Sequence, residues 1–247
     1  VSAEVTLTEA WADDAALDAL NDALDALDAD ARITWALANT PGRAVLSTSF
    51  GAQSAAVLHL VTRQAPELPV VLVDTGYLFP ETYLFADALT HRLALNLHVA
   101  RADDSPAWFE ARHGKLWEQG LDGIERYNHL RKVEPMQRAL DGLGATLWIA
   151  GLRRSQASTR EHRRVLERAG ARWKLHPIVD WSDRDIGAYL KAHALPWHPL
   201  WDEGYVSIGD VHTTRPLSTD VDAEATRFFG LKRECGLHEP APVAIAS

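Results

Sequence analysis

The chain has 247 residues, a formal net charge of −9 and 47% hydrophobic residues, enough to bury the core of one domain with appendages. The acidic balance speaks against a general nucleic-acid surface, no run of about 18 apolar residues offers a membrane span, and the acidic N-terminus does not read as a secretory signal. A globular cytoplasmic protein is expected, and its single cysteine fits a compartment that does not use disulfides as staples.

Charge is unevenly spread, with acids crowding residues 9–30 and cations residues 153–168. Residues 7–38 are rich in Ala, Leu and Asp, with Leu17, Leu20, Leu24 and Leu27 at helical spacing. This predicts one or two amphipathic helices with a solvated acidic face. Pro41-Gly42 ends the segment. Residues 44–49 form a short apolar strand running into a Ser/Gly-rich turn, and a helical run follows over 52–63. A second apolar strand, 69–74, leads through Thr75-Gly76 to a helix entered at Pro80-Glu81. Residues 95–100 predict a third strand and 146–151 a fourth, again ending in glycine. Residues 173–179 add another. Ser182 and Asp185 frame a helix start with Ile186, Tyr189 and Leu190 on its inner face. From Pro196 onward the periodicity is lost.

Continuous apolar strands alternating with helices define an α/β fold, a doubly wound and mostly parallel sheet covered on both faces. The expected division is a body over 1–206, including a helical segment over about 1–40, and a loop-rich tail over 207–247. Ligands of such sheets bind beyond the carboxyl ends of the strands. The turns after Leu46, Val73 and Ile149 all fall at that edge. In the first, Ser47-Thr48-Ser49-Phe50-Gly51-Ala52-Gln53-Ser54, backbone amides, hydroxyls and a helix N-terminus suit phosphate or sulfate oxygens. It is not a Walker loop, because Gly-x4-Gly-Lys-Ser/Thr is absent.

Cys235 lies in Lys232-Arg233-Glu234-Cys235-Gly236-Leu237-His238. Neighbouring cations favour a thiolate, the reactive form of cysteine. With no second cysteine in the chain, any redox partner sulfur must come from another molecule. Gly236 and the aperiodic approach to it predict a mobile tail.

Six segments, in order, carry a resemblance. They are the first turn, Asp74-Thr75-Gly76-Tyr77-Leu78-Phe79-Pro80-Glu81-Thr82-Tyr83, Lys132-Val133-Glu134-Pro135, Gly151-Leu152-Arg153-Arg154-Ser155-Gln156, Leu200-Trp201-Asp202-Glu203-Gly204-Tyr205 and Glu234-Cys235-Gly236-Leu237-His238. From about residue 43 to 238 the chain resembles the thioredoxin-dependent 3′-phosphoadenylyl-sulfate reductases.

That resemblance implies an adenine-nucleotide α-hydrolase type fold and a nucleophilic cysteine, Cys235. The thiolate takes the sulfonyl group, displaces adenosine 3′,5′-bisphosphate and leaves S-sulfocysteine. Reduced thioredoxin or glutaredoxin then releases sulfite, in agreement with the lone-thiol argument. Lys132 and Arg227 match family cations on the phosphosulfate, and Arg153 and Arg154 supply two more. Ser47, Ser49, Gly51, Gln53 and Ser54 would line the loop, and Asp74, Thr75 and Gly76 would sit near ribose or adenine. Arg160 is the candidate for the 3′-phosphate. His238 is a nearby proton carrier or a cap on the tail. The family resemblance further implies a homodimer, in which paired Cys235 residues could oxidise to a disulfide.

One branch of the family holds a [4Fe–4S] cluster on four cysteines, which would align with Tyr127, Asn128, Asp210 and Thr213. None is cysteine here, so no cluster assembles by that scheme, and the cluster-free branch takes the 3′-phosphorylated nucleotide. No bound cofactor or metal is expected. His193 and His198 are separated by Pro196, which breaks the spacing of a zinc helix, and His212 beside Asp210 is isolated. The nine tryptophans read as core anchors. Three alternatives stand beside this reading: a cluster-free adenylyl-sulfate reductase, an ATP pyrophosphatase-type adenylating enzyme, and a non-catalytic nucleotide sensor. The second normally carries Ser-Gly-Gly-x-Asp-Ser at the first turn, a pattern broken here by Phe50 and Ala52.

Overall fold

The computed structural model describes residues 6–218, 224–232 and 234–237. Three helices come first, α1 (Leu7–Ala12), α2 (Asp14–Asp25) and α3 (Ala29–Asn39). Asp13 and Asp28 set the starts of α2 and α3, their carboxylates accepting from the N–H groups of Ala16 (3.1 Å) and Ala31 (2.8 Å). A carboxylate at this position satisfies a donor that the helix leaves orphaned. One or two helices were expected here. In a segment this rich in aspartate, a capping aspartate has the same spacing signature as a surface one.

The chain then alternates through β1 (Arg43–Thr48), α4 (Ser54–Thr62), β2 (Pro69–Asp74), α5 (Pro80–Leu93) and β3 (Asn96–Arg101). After α6 (Pro106–His113), α7 (Gly120–Asn128), a π-helical turn (His129–Val133) and α8 (Glu134–Gly142) come β4 (Ala145–Ala150), β5 (Leu166–Ala169), β6 (Arg172–Leu175) and α9 (Asp183–Ala192). The strands form one sheet ordered β3-β2-β1-β4-β6-β5, parallel throughout except for β5 at the edge.

Successive strand residues point to opposite faces, so a strand covered on both sides must be apolar at every position. Leu46, Val70, Leu72, Leu147 and Ile149 enter one core with Ile33, Leu58 and Leu89 from the helices. Val45, Val71, Val73 and Trp148 enter the other, under Met136 and Leu140 of α8. The expected doubly wound α/β sheet is the observed one. The strand expected over 173–179 is shorter. It ends at Leu175: His176 N–H makes one last bond toward the β5 side, to Val165 O (2.8 Å), and Pro177 has no donor to continue a ladder. Its antiparallel partner β5 was not foreseen, and the two-residue Gly170-Ala171 turn joins them with Gly170 at φ 61°.

An edge strand exposes unpaired N–H and C=O groups. Here α2 lies along β5, and the Asn21 amide both donates to Leu166 O (3.0 Å) and accepts from Leu166 N–H (2.9 Å). The acidic helices and the cationic segment also meet. Arg164 reaches Asp18 (3.3 Å) and Asp22 (2.9 Å), and Arg168 reaches Asp14 (2.5 Å). Those aspartates stay exposed, so each pair contributes about 0–1 kcal/mol, and the acidic face is solvated as expected while also meeting the cationic segment. Arg32 is buried and donates to Asp180 through both terminal nitrogens (2.7 and 2.8 Å).

Candidate active site

The strand order reverses at β1, with β2 and β3 on one side and β4 and β6 on the other. Parallel sheets open a crevice beyond the carboxyl ends at such a point. A cavity of about 390 Å³ lies there. Ser47, Ser49, Gly51, Gln53 and Ser54 of the first turn line it, with Thr75 of the second, Arg153 of the third, and Lys132, Arg160, Arg227 and Cys235. Asp74, Gly76 and Arg154 are outside this lining, and His238 lies outside the described residues.

The first turn is shaped by Phe50, which is fully buried at φ 46°, a left-handed conformation costly for a side chain of this size. Its N–H bonds Thr48 Oγ1 (3.0 Å), and the reversal it makes brings Ser54, the first residue of α4, to the cavity. The positive end of α4 therefore borders the space where an anion would sit. Arg153, 3% exposed, donates to Asp183 Oδ1 (2.9 Å), and to the Gln53 side chain, whose Nε2 donates to the same carboxylate oxygen (3.0 Å). The first and third turns are locked together by this triangle.

Asp74 braces the second turn. Its Oδ1 accepts from Gly76 N–H (2.9 Å) and Tyr83 O–H (2.7 Å), and its Oδ2 from Arg101 Nε (2.8 Å). Burial alone would raise this carboxyl, but these donors hold it below the usual carboxylate range. Arg154 points the other way, donating to Arg163 O (2.7 Å) with Asp25 of α2 at 3.5 Å.

The cations of the far wall come from the π-helical turn and the C-terminal segment. A π-turn admits an extra residue, a device frequent at functional sites. Here Arg131 and Lys132 are both buried, Arg131 on Thr75 O and Asp104, Lys132 on Asp210 Oδ2 at 2.6 Å. Asp210 also accepts from Thr75 Oγ1. Burial pushes the Asp210 carboxyl up, and Lys132, the largest opposing influence, holds it below its ordinary value. Tyr127 and Phe228 present their rings to the Lys132 ammonium at 5.3 and 5.1 Å. Arg227 lies across Phe228 (5.0 Å) with Ser207 Oγ at 3.4 Å. Gly209 makes room for it, since a Cβ there would come within 2.1 Å of the guanidinium.

Cys235 is a partly exposed free cysteine at this wall. The residue before it, Glu234, is buried on Arg160, and Leu237 O accepts from Lys174 Nζ (3.0 Å). Sequence reasoning missed Asp210, Glu234 and Lys174 as parts of the site. Glu234 stood beside the cysteine and was readable as a charged tail residue in need of a partner. Nothing local links Lys132 to Asp210.

Tyr127, Asn128, Asp210 and Thr213 are all buried. His212 stacks on Trp117 at 3.7 Å, and burial lowers it to about 4. His198 is bonded to Thr82 Oγ1 (3.1 Å). Among the described residues, no three His, Cys, Asp or Glu side chains converge to hold a metal ion, and no helix is long and apolar enough to cross a membrane.

The fold is a doubly wound α/β sheet of the adenine-nucleotide α-hydrolase type. A structure of Candida glabrata FMN adenylyltransferase shares this fold, with a TM-score of 0.53 at 17% identity over 83% of this chain and 69% of its own. The phosphoadenosine phosphosulfate reductase domain model matches residues 43–216. A phosphoadenosine 5′-phosphosulfate reductase of Alkalilimnicola ehrlichii is 63% identical over 223 residues, covering 90% of this chain and 91% of the relative. The crystal structure of phosphoadenylyl-sulfate (PAPS) reductase from Candida auris, a phosphate complex, superposes with a TM-score of 0.72 at 30% identity, over 82% of this chain and 98% of that one. The chain belongs to the phosphoadenosine phosphosulfate reductase family and is an oxidoreductase.

Proposed function

We propose that the protein reduces 3′-phosphoadenylyl sulfate to sulfite and adenosine 3′,5′-bisphosphate in sulfate assimilation. The Cys235 thiolate attacks the sulfur of the phosphosulfate; an S–S bond forms, the S–O bond to phosphate breaks, and the nucleotide leaves with that electron pair. A dithiol of thioredoxin or glutaredoxin then attacks Sγ of the S-sulfocysteine, expels sulfite, and closes its own disulfide to return the Cys235 thiolate. Two electrons pass from the dithiol to sulfur, and one cysteine in the chain suffices because the second and third thiols are the donor's. The carrying observation is that Cys235 lines the same cavity as the first turn and Lys132, Arg153, Arg160 and Arg227. Cations placed there stabilise the charge that develops on phosphate as the S–O bond breaks.

In this reading residues 1–206 are the nucleotide-binding body and 207–247 the tail that presents the thiol. It acts in the cytoplasm, where dithiol donors are kept reduced, as a homodimer, and needs no bound cofactor or iron–sulfur cluster. Incubation with 3′-phosphoadenylyl sulfate, without donor, tests it by intact mass. A gain of one sulfonate on Cys235, discharged as sulfite by reduced thioredoxin, is expected. Sulfite release without any adduct, or no reaction with this nucleotide, overturns it.

A further inference from the structure

Lys174 is a buried cation that the proposed chemistry has not used. It is 5% exposed in the middle of β6, registered beside Trp148 of β4, and its ammonium lies 3.7 Å from the centre of the Trp148 ring. An aliphatic residue would fill this position at far lower desolvation cost, so the ammonium needs a reason to be there. Glu167, its cross-strand neighbour on β5, directs its carboxylate to Arg163 (2.8 Å), Arg164 N–H (3.1 Å) and His176 (3.5 Å). The hydrogen bond of Lys174 goes instead to the tail, to Leu237 O at 3.0 Å. The Leu237 side chain packs on the same core that holds Trp148, and Trp148 Nε1–H donates to Ser47 Oγ (2.7 Å) at the head of the first turn. One continuous path therefore runs from the nucleotide loop through Trp148 and Lys174 to the segment two residues past Cys235.

We propose that Lys174 is a positioning residue for the thiol chemistry: seated on Trp148, its ammonium holds the Leu237 carbonyl and thereby keeps Cys235 at the cavity wall. The inference rests on the Cys235 reading above. Charge matters to this grip, because a charged donor makes the stronger hydrogen bond and a cation is drawn more strongly to the ring face than a neutral amine. Burial lowers Lys174 to about 7, opposed by attraction from Glu167 and Cys235 and assisted by repulsion from Arg163 and Arg160. The grip accordingly weakens as pH rises through neutrality.

The test uses the full chain with Lys174→Met, which removes donor and charge, and Lys174→Gln, which keeps a donor without charge. Two quantities are read: amide-exchange protection over 234–237 without nucleotide, and the rate of Cys235 sulfonation at saturating 3′-phosphoadenylyl sulfate. In Lys174→Met the protection is lost and sulfonation slows about 10- to 100-fold with unchanged nucleotide affinity, the scale expected when a reacting group is misplaced by about 1 Å. Lys174→Gln falls between. Wild-type protection, corrected for intrinsic exchange, drops between pH 6 and 8, and that of Lys174→Met is flat across this range. Wild-type protection and rate in Lys174→Met overturn the proposal, as does a parallel loss of nucleotide affinity, which marks a general structural role. If the wild type itself is not sulfonated, the Cys235 reading fails and the exchange data alone decide the role of Lys174.

Discussion

Arg160 holds Glu234 by two parallel bonds, Nε to Oε1 at 2.7 Å and Nη2 to Oε2 at 2.8 Å, one residue before Cys235. Thr159 Oγ1 adds a third donor at 2.9 Å. Paired planar groups of this kind fix direction as well as distance. Arg160, the candidate for the 3′-phosphate from sequence, is here bonded through all three guanidinium nitrogens to Glu234 and Gln156, and so is paired with the segment that carries the thiol. Glu234→Ala is expected to slow sulfonation by about 10- to 100-fold while the fold persists. Single-turnover mass spectrometry beside a thermal melt measures both, and an unchanged rate contradicts the orienting role.

Cys235→Ser is expected to abolish sulfite formation and leave nucleotide binding intact, because in the proposed reaction the side chain does the chemistry and the cations do the docking. Calorimetric titration with adenosine 3′,5′-bisphosphate and a sulfite assay with thioredoxin separate the two. Residual turnover argues for a different nucleophile.

The Lys132–Asp210 pair predicts an asymmetry. Asp210→Asn leaves a buried ammonium without its counter-charge and should cost about 3–5 kcal/mol. Adding Lys132→Met should restore much of that stability without restoring nucleotide affinity, since the cation proposed to meet the phosphosulfate is gone. Denaturant unfolding and nucleotide titration of the three proteins check it; recovery of affinity in the double variant contradicts the role of Lys132.

His198 predicts a pH effect unrelated to catalysis. Its Nδ1 accepts from Leu200 N–H (3.1 Å), so Nε2–H is the donor to Thr82, and the ring is neutral. Burial lowers it from 6.5 to about 4. Between these values the unfolded chain binds the proton and the folded one does not, so stability falls as pH drops from 6.5 to 4. The share of His198 is about 3 kcal/mol at most. Unfolding of His198→Gln across this range should show a shallower slope than wild type, with the remainder from groups such as His212; an identical slope excludes His198.

Much of this architecture was legible because it is written locally. In β2, Pro69–Asp74, six consecutive buried positions leave a signature that polar alternation cannot imitate. The three turns that follow β1, β2 and β4 were placed correctly at one sheet edge for the same reason. What escaped depends on long-range pairing. Lys132 is marked as a candidate cation by its motif, but its pairing with Asp210 through the π-turn has no local signal. Lys174 falls in the strand expected over 173–179 with no local mark of burial, which depends on Trp148 and on a tail over sixty residues away. Arg153 and Arg154 are adjacent and alike in sequence, and only the packing of α2 and α9 sends one to the cavity and the other to Asp25.

The Asn21 contact with Leu166 gives the N-terminal helices a task that the family-matched region, 43–216, does not contain. Without them β5 becomes a bare rung, open to any extended chain, and the apolar residues beneath α2 and α3 lose their cover. A version starting at residue 41 should therefore retain its nucleotide pocket yet polymerise, as light scattering would register. In the folded chain the acidic helices are a permanent cover over the rim of the sheet.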